Sequence, residues 1–292
     1  MDGQAPIDTW ALLAILAKSA GYAAALVAIG GPLFVAIFRF APDDVLRLAR
    51  QLAVGAALLG LAVLALRFGI RSARISGMGF EGAVDPMMLG LVWDSPLGTA
   101  ALWRGAGELL ILAVLIEGTI GLAASLLGAL LVAVSYTLVG HSLGDPRWLL
   151  AGLVGVHLLA GAFWIGALAP LHRAAGRTGG AALLHRFGRI ASGTVAVLVF
   201  AGLTFAWLMI GSFNGLFGTA YGWTLIAKIG VVTALLGLAA KNKLQLVPAL
   251  SSGEPSASGR LRRSIRMEII AVALILLATA TLTSITTPPV NL

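Results

Sequence analysis

Apolar residues run along this chain in stretches of about twenty or more, separated only by short polar or basic breaks. The pattern predicts spans at roughly 9–38, 49–70, 97–116, 119–140, 147–171, 184–211, 222–246 and 262–286. At about 1.5 Å per residue, each is long enough to cross about 30 Å of hydrocarbon. No strict two-residue alternation runs through them, which argues against a transmembrane barrel. The fold class is therefore all-α: a polytopic membrane helix bundle of about eight transmembrane helices, forming one transmembrane domain over 1–292. Gly30-Gly31-Pro32 inside the first span predicts a kink, because proline removes a backbone donor. Glu117-Gly118 leaves room only for an antiparallel hairpin between spans three and four. The longest connection, 72–96, is expected to be an external loop whose Met87–Trp93 stretch forms a short interfacial or re-entrant helix. SSGEPSASG at 251–259 is the only linker-like stretch. The N-terminal MDGQAPIDTW has neither a basic leader nor a cleavage site, so the first span is expected to be retained.

Composition agrees with the pattern. Hydrophobic residues make up 59% and charged residues 11%, and the mean hydropathy is +0.97. A soluble chain carries about a quarter charged residues. The net charge of +8 does not indicate a nucleic-acid partner, because the basic residues lie in the gaps between spans. Thirteen Lys and Arg fall in the loops after spans one, five and seven; the opposite side has Arg67, Arg71, Arg74 and Arg147. By the positive-inside rule both termini are expected outside, in the periplasm. Those basic loops could also contact anionic membrane lipid. The chain has no cysteine, which removes thiolate metal sites and thiol nucleophiles.

Polar residues within spans are costly, so each is a candidate for function. They are Lys18, Arg104, Glu108, His157, Lys228 and Glu268. Arg104 and Glu108 are four residues apart and share a helix face, which predicts an ion pair. Glu268 follows Arg262, Arg263 and Arg266 and is expected to form an interfacial salt bridge. His141 ends the fourth span and His157 lies about ten residues into the fifth, about 15 Å below the outer surface. Only a short turn joins these spans, so the two imidazoles can approach one another in the outer half of the membrane. Imidazole suits copper, zinc and iron, while the thioethers of Met87, Met88 and Met209, on the same side, suit Cu(I). Ordinary packing also accounts for a lone intramembrane histidine or a few methionines. His172 and His185 flank a basic loop and read as interfacial. Trp164, seven residues after His157, shares its helix face and walls the same site. Tyr221 reads as an interfacial anchor. Lys228, two turns deeper, repels a metal cation and is expected to pair with a carboxylate, with Glu108 as the candidate. No Ser-His-Asp constellation is visible, so no enzymatic turnover is expected.

Several of these stretches resemble the bacterial copper resistance protein D (CopD/PcoD) family. They are Gly140-His141, His157 through Trp164-Ile165-Gly166, Arg186-Phe187, Thr219 through Lys228 with Tyr221, Asn242, Leu261 through Glu268, and Thr287-Pro288-Pro289. The resemblance is good over a 140–289 core and looser before it, where Gly30-Gly31-Pro32 and Trp103-Arg104 align. It implies an inner-membrane protein that handles copper, moving it from periplasm towards cytoplasm beside a small periplasmic copper-binding partner of the CopC type. The expected cargo is then copper, as Cu(I), held by His141, His157 and methionine thioethers. Two readings stay open beside import: a haem b-binding electron-transfer protein with histidine ligands, and a non-transporting partner that delivers copper to another membrane protein.

Overall fold

The computed structural model describes residues 8–286 and 288, with the side chains of residues 141 and 142 outside that description. The N-terminal segment up to residue 7, and Thr287 and Pro289 of the C-terminal motif, also lie outside it.

The described chain is helical almost throughout. The first crossing is α1 (Thr9–Ile37), capped by Asp8, whose carboxylate accepts the Ala11 amide at 2.6 Å. It is followed by α2 (Asp43–Ser76), the short helices α3 (Gly79–Val84) and α4 (Pro86–Trp93), and α5 (Pro96–Ile111). A 3-10 turn, Leu112–Leu115, completes α5. Gly118 makes the hairpin into α6 (Thr119–Thr137), with φ +97° that only glycine adopts easily. Then come a 3-10 turn at Gly140–Leu143, α7 (Arg147–Ala174), α8 (Gly180–Ile210) and the short α9 (Phe213–Gly218). The last part is α10 (Ala220–Lys241), which runs through a π-helical turn at Asn242–Leu246 into α11 (Val247–Ser251), and finally α12 (Ala257–Leu282). Eight of these segments are long and apolar enough to cross a membrane. The chain is therefore a multi-pass membrane protein.

The α2 helix is longer than the expected second span. It extends through Ser76, so Arg71 and Arg74 lie on the same helix as Arg67 rather than beyond its end. Their spacing of four and three puts them on one face.

The centre of the bundle is α1, which packs against α2, α6, α7 and α12. Its Gly30-Gly31-Pro32 segment remains helical and is the crossing point of three helices. A Cβ on Gly30 would lie 2.3 Å from the Ala162 carbonyl oxygen of α7, and one on Gly31 would lie 2.5 Å from Ala53 of α2. Small residues permit this backbone approach, which supplies packing where lipid provides no hydrophobic drive. Gly107 and Gly128 do the same between α5 and α6. An aromatic cluster of Phe34, Phe38, Phe163 and Phe187 closes the core near the face that carries those thirteen basic residues, most of them on helix ends. At that face Asp44 pairs with Arg177 at 2.7 Å and Arg173 at 3.5 Å, tying the start of α2 to the end of α7.

The other half of the bundle is looser. Here α8 packs on α7, and α10 on α12, but α8 and α10 hardly touch one another.

Candidate functional site

A cavity of about 920 Å³ fills the half of the bundle opposite the basic loops. Its walls come from the N-terminal parts of α1 and α5, from α7 and α10, from Val92 of α4, and from the C-terminal parts of α2, α6, α8 and α12. Most of the lining is Leu, Val, Ile and Ala, with His157, Trp164, Tyr22, Tyr136 and Tyr221 among the polar and aromatic groups. Leu203 and Ile229 line the cavity and also face outward, 54% and 39% exposed, where α8 and α10 diverge. At these two residues the cavity reaches the outer surface of the bundle.

His157 is held across the α7–α8 interface. Its Nδ1 lies 2.9 Å from the carbonyl oxygen of Leu198. A carbonyl only accepts, so Nδ1 carries the proton and Nε2 keeps its lone pair. That is the usual arrangement of a metal-ligating histidine, whose second nitrogen is fixed by a backbone or carboxylate oxygen. Gly202 makes it possible: a Cβ there would lie 2.8 Å from the ring Cε1 and 3.0 Å from Nδ1. The His141 side chain lies outside the described residues, but its neighbours Gly140 and Leu143 line the cavity. The α6–α7 turn therefore borders the same space as His157.

The methionines are elsewhere. Met87 is 72% exposed on α4. Met88, beside it, is half-buried and absent from the cavity lining. Met209 is fully buried against Leu150, Tyr221 and Leu282, behind the cavity wall. Among the described residues, no group of three or more His, Asp or Glu side chains is placed to hold a metal ion.

The intramembrane charged residues pair differently from their expected partners. Arg104 makes no ion pair with Glu108. Its Nε donates to Ser135 Oγ at 3.1 Å and its guanidinium lies 3.9 Å from the centre of the Tyr136 ring, both on α6. Glu108 points instead towards Gly60 of α2, where a Cβ would lie 2.3 Å from Oε1, and its Oε2 has no hydrogen-bond partner among the described residues. Lys228 lines the cavity close enough to His157 for its charge to act on the ring. It has no carboxylate within 4 Å: the ion pairs among the described residues all lie at the basic face. Glu268 likewise forms no salt bridge with its neighbouring arginines. On α12 the buried positions are 261, 264, 265 and 268, whereas Arg262, Arg263 and Arg266 are exposed. Helical periodicity therefore turns Glu268 inward, where Asn242 Nδ2 donates to its Oε1 at 2.5 Å and the Trp164 indole lies close enough to act on it.

This last group joins three residues that lie far apart in the sequence. Trp164 lines the cavity with His157 and also lies beside Glu268, which accepts from Asn242. It is the link between the cavity and the polar network below it. Tyr221 is buried in the cavity wall rather than standing at an interface.

Sequence reasoning did not assemble the cations. Lys18, Arg67, Arg71 and Arg74 line the cavity together with Arg104 and Lys228. The 67, 71, 74 spacing was the available signal, but it has meaning only once those residues are on a helix. Lys18 donates to the Thr283 carbonyl, and Tyr22 Oη lies 3.2 Å from Thr283 Oγ1, which fastens α1 to the end of α12.

Comparison with known families agrees with this architecture. Residues 181–282 match the family model described as Copper resistance protein D. Residues 7–148 match the model described as Copper resistance protein D-like, N-terminal domain. No curated protein and no solved structure matches the chain. The two matched segments take in α1 through α6 and nearly all of α8 through α12, leaving α7, with His157 and Trp164, as the main stretch between them. The chain belongs to the copper resistance protein D family, and is a multi-pass membrane protein with a role in copper resistance and handling.

Proposed function

We propose that the protein accepts copper at the outer face and passes it inward through the cavity, with His141 as the outer ligand and His157 as the deeper one. Both termini and the α6–α7 turn are then periplasmic and the basic loops cytoplasmic, as the positive-inside rule requires. One observation carries the reading. The cavity runs from the Gly140–Leu143 turn to a histidine whose Nδ1 is fixed by Leu198 and whose Nε2 makes no hydrogen bond to a described residue. Cu(I) accepts few, soft or borderline ligands, and two imidazoles suffice for a linear site. Below His157, Trp164 and the buried Glu268–Asn242 pair mark the continuation towards the cytoplasmic side. The family resemblance adds a CopC-type periplasmic partner delivering copper at the α6–α7 turn.

The test is anaerobic Cu(I) uptake by proteoliposomes containing the purified protein, together with copper accumulation in cells. His157→Ala and His141→Ala are each expected to reduce uptake, and the double variant to abolish it. Wild-type uptake by the double variant would end the proposal. Copper bound by the protein without vectorial uptake would make it a delivery partner instead.

One observation favours a second reading, haem b. An apolar cavity bearing a backbone-fixed histidine and guanidinium groups has the chemistry to ligate haem iron and to hold propionates. A Soret band in the purified protein, lost in His157→Ala, would establish it.

A further inference from the structure

Six cationic side chains line the cavity, those of Lys18, Arg67, Arg71, Arg74, Arg104 and Lys228, and among the described residues no Asp or Glu lines it. They also act on one another. Lys18 lies within electrostatic reach of Arg67, Arg71 and Arg74, and Arg67 within reach of Arg104. None has a carboxylate within 4 Å among the described residues. Lys18 and Arg104 spend one hydrogen bond each on Thr283 and Ser135. Arg67 makes no hydrogen bond or ion pair with any described residue, though it lies among the others.

A guanidinium does not shed its proton in a protein, so burial cannot relieve this repulsion by neutralising it. Intramembrane cations are normally paired, because the low dielectric strengthens repulsion as much as attraction. An anion would balance the charge that the described residues leave unpaired. The rest of the cavity limits what kind. Its walls away from the cations are apolar, and it reaches the outer surface of the bundle between α8 and α10, at the half-exposed Leu203 and Ile229. A small soluble anion would leave that apolar volume empty. An anionic amphiphile fills both parts, with its charge among the cations and its hydrocarbon leaving between α8 and α10.

We propose that the cavity is a binding site for one anionic phospholipid from the outer leaflet, its phosphate held among Lys18, Arg67 and Arg104 and its acyl chains passing between α8 and α10. The site stands independently of whether copper uses His157. It also bears on that use: the bare cationic wall repels a cuprous ion from Nε2, and a bound phosphate offsets that field. The lipid is then a structural counter-ion of the copper path.

The experiment uses the full-length protein in detergent with phosphatidylglycerol, phosphatidylcholine or inorganic phosphate added, read by thermal midpoint and by native mass spectrometry. Phosphatidylglycerol is expected to raise the midpoint, and one molecule is expected to survive activation that strips the others. Phosphatidylcholine and inorganic phosphate are expected to do neither. Arg67→Gln should weaken phosphatidylglycerol retention about tenfold, since a hydrogen bond to a charged group is at stake, and Arg67→Lys should restore part of it. Because a charge variant can disturb insertion, Leu203→Trp, which narrows the passage between α8 and α10 from its exposed side, serves as the second variant and should also lose the lipid. Arg262→Gln at the basic face should retain it. Equal stabilisation by phosphatidylcholine or by inorganic phosphate would overturn the proposal, as would full retention in both Arg67→Gln and Leu203→Trp. A Soret band in the as-purified protein would overturn it too, assigning the same anion site to porphyrin propionates.

Discussion

Gly202→Ala isolates the orientation of His157 from the stability of the bundle. The added Cβ would meet the imidazole at 2.8 Å (Cε1) and 3.0 Å (Nδ1), while Nε2 lies 3.9 Å away. The ring is the movable partner in that clash, so it must turn away and give up the 2.9 Å hydrogen bond to Leu198. Losing one such bond costs about 0.5–1.5 kcal/mol. Replacing a mid-helix glycine with alanine returns about 0.5–1 kcal/mol of propensity. The two nearly cancel, so the thermal midpoint is expected to move by only a degree or two either way. Copper affinity responds differently. Disturbing the group that orients a metal-ligating histidine lowers affinity roughly ten- to hundredfold. The assay is anaerobic competition for Cu(I) against a chromophoric chelator, with the protein in detergent. Gly193→Ala is the control: it lies on the same helix and its Cβ meets nothing within 4 Å. Wild-type affinity in Gly202→Ala would refute the assignment of His157 as a ligand. An equal loss in Gly193→Ala would refute the steric argument.

Other perturbations test the fold around the site. Gly30→Ala forces a Cβ to 2.3 Å from the Ala162 carbonyl oxygen and 2.6 Å from the Gly166 Cα, both backbone atoms that cannot swing aside. It should destabilise the bundle by about 3 kcal/mol or more, seen as a lowered thermal midpoint or loss of the folded protein from detergent. Glu268→Ala leaves the Asn242 amide without its acceptor and should cost about 1–3 kcal/mol. Glu268→Gln keeps an acceptor and offers a donor to the unpartnered Asn242 Oδ1, so its midpoint should stay close to wild type; an equal drop in both would show that charge, not hydrogen bonding, matters there. Because the chain contains no cysteine, single replacements report orientation cleanly. Glu81→Cys should react with a membrane-impermeant maleimide added from the periplasmic side, and Ser252→Cys only after the membrane is opened. The reverse pattern would invert the proposed topology and put the cavity on the cytoplasmic half.

What could be read in the sequence follows from how each property is encoded. Spans are local: an apolar run of about twenty residues has to be a helix in lipid, because no water satisfies its backbone groups. All eight crossings were legible for that reason, as was the tight hairpin at Gly118. The resemblance to copper resistance protein D was legible in short stretches such as His157–Gly166 and Leu261–Glu268, which the matched family models extend to most of the chain. Which charges meet was not legible. Glu108 and Arg104 share a helix face, yet Arg104 turns to Ser135 and Tyr136 on α6, because partner choice depends on the neighbouring helix and not on spacing along one. Glu268 has three arginines beside it in sequence, but its rotation about α12 buries it against Asn242 and Trp164. The methionines share a side of the membrane with His157 and still miss the cavity, since depth along a helix says nothing about the direction a side chain faces. The sequence by itself determined a copper-handling bundle of eight membrane helices. Only the tertiary structure decided that six cations from α1, α2, α5 and α10 converge on one apolar cavity, because convergence is set by glycine-mediated crossings such as Gly30 against Gly166 that join residues more than a hundred positions apart.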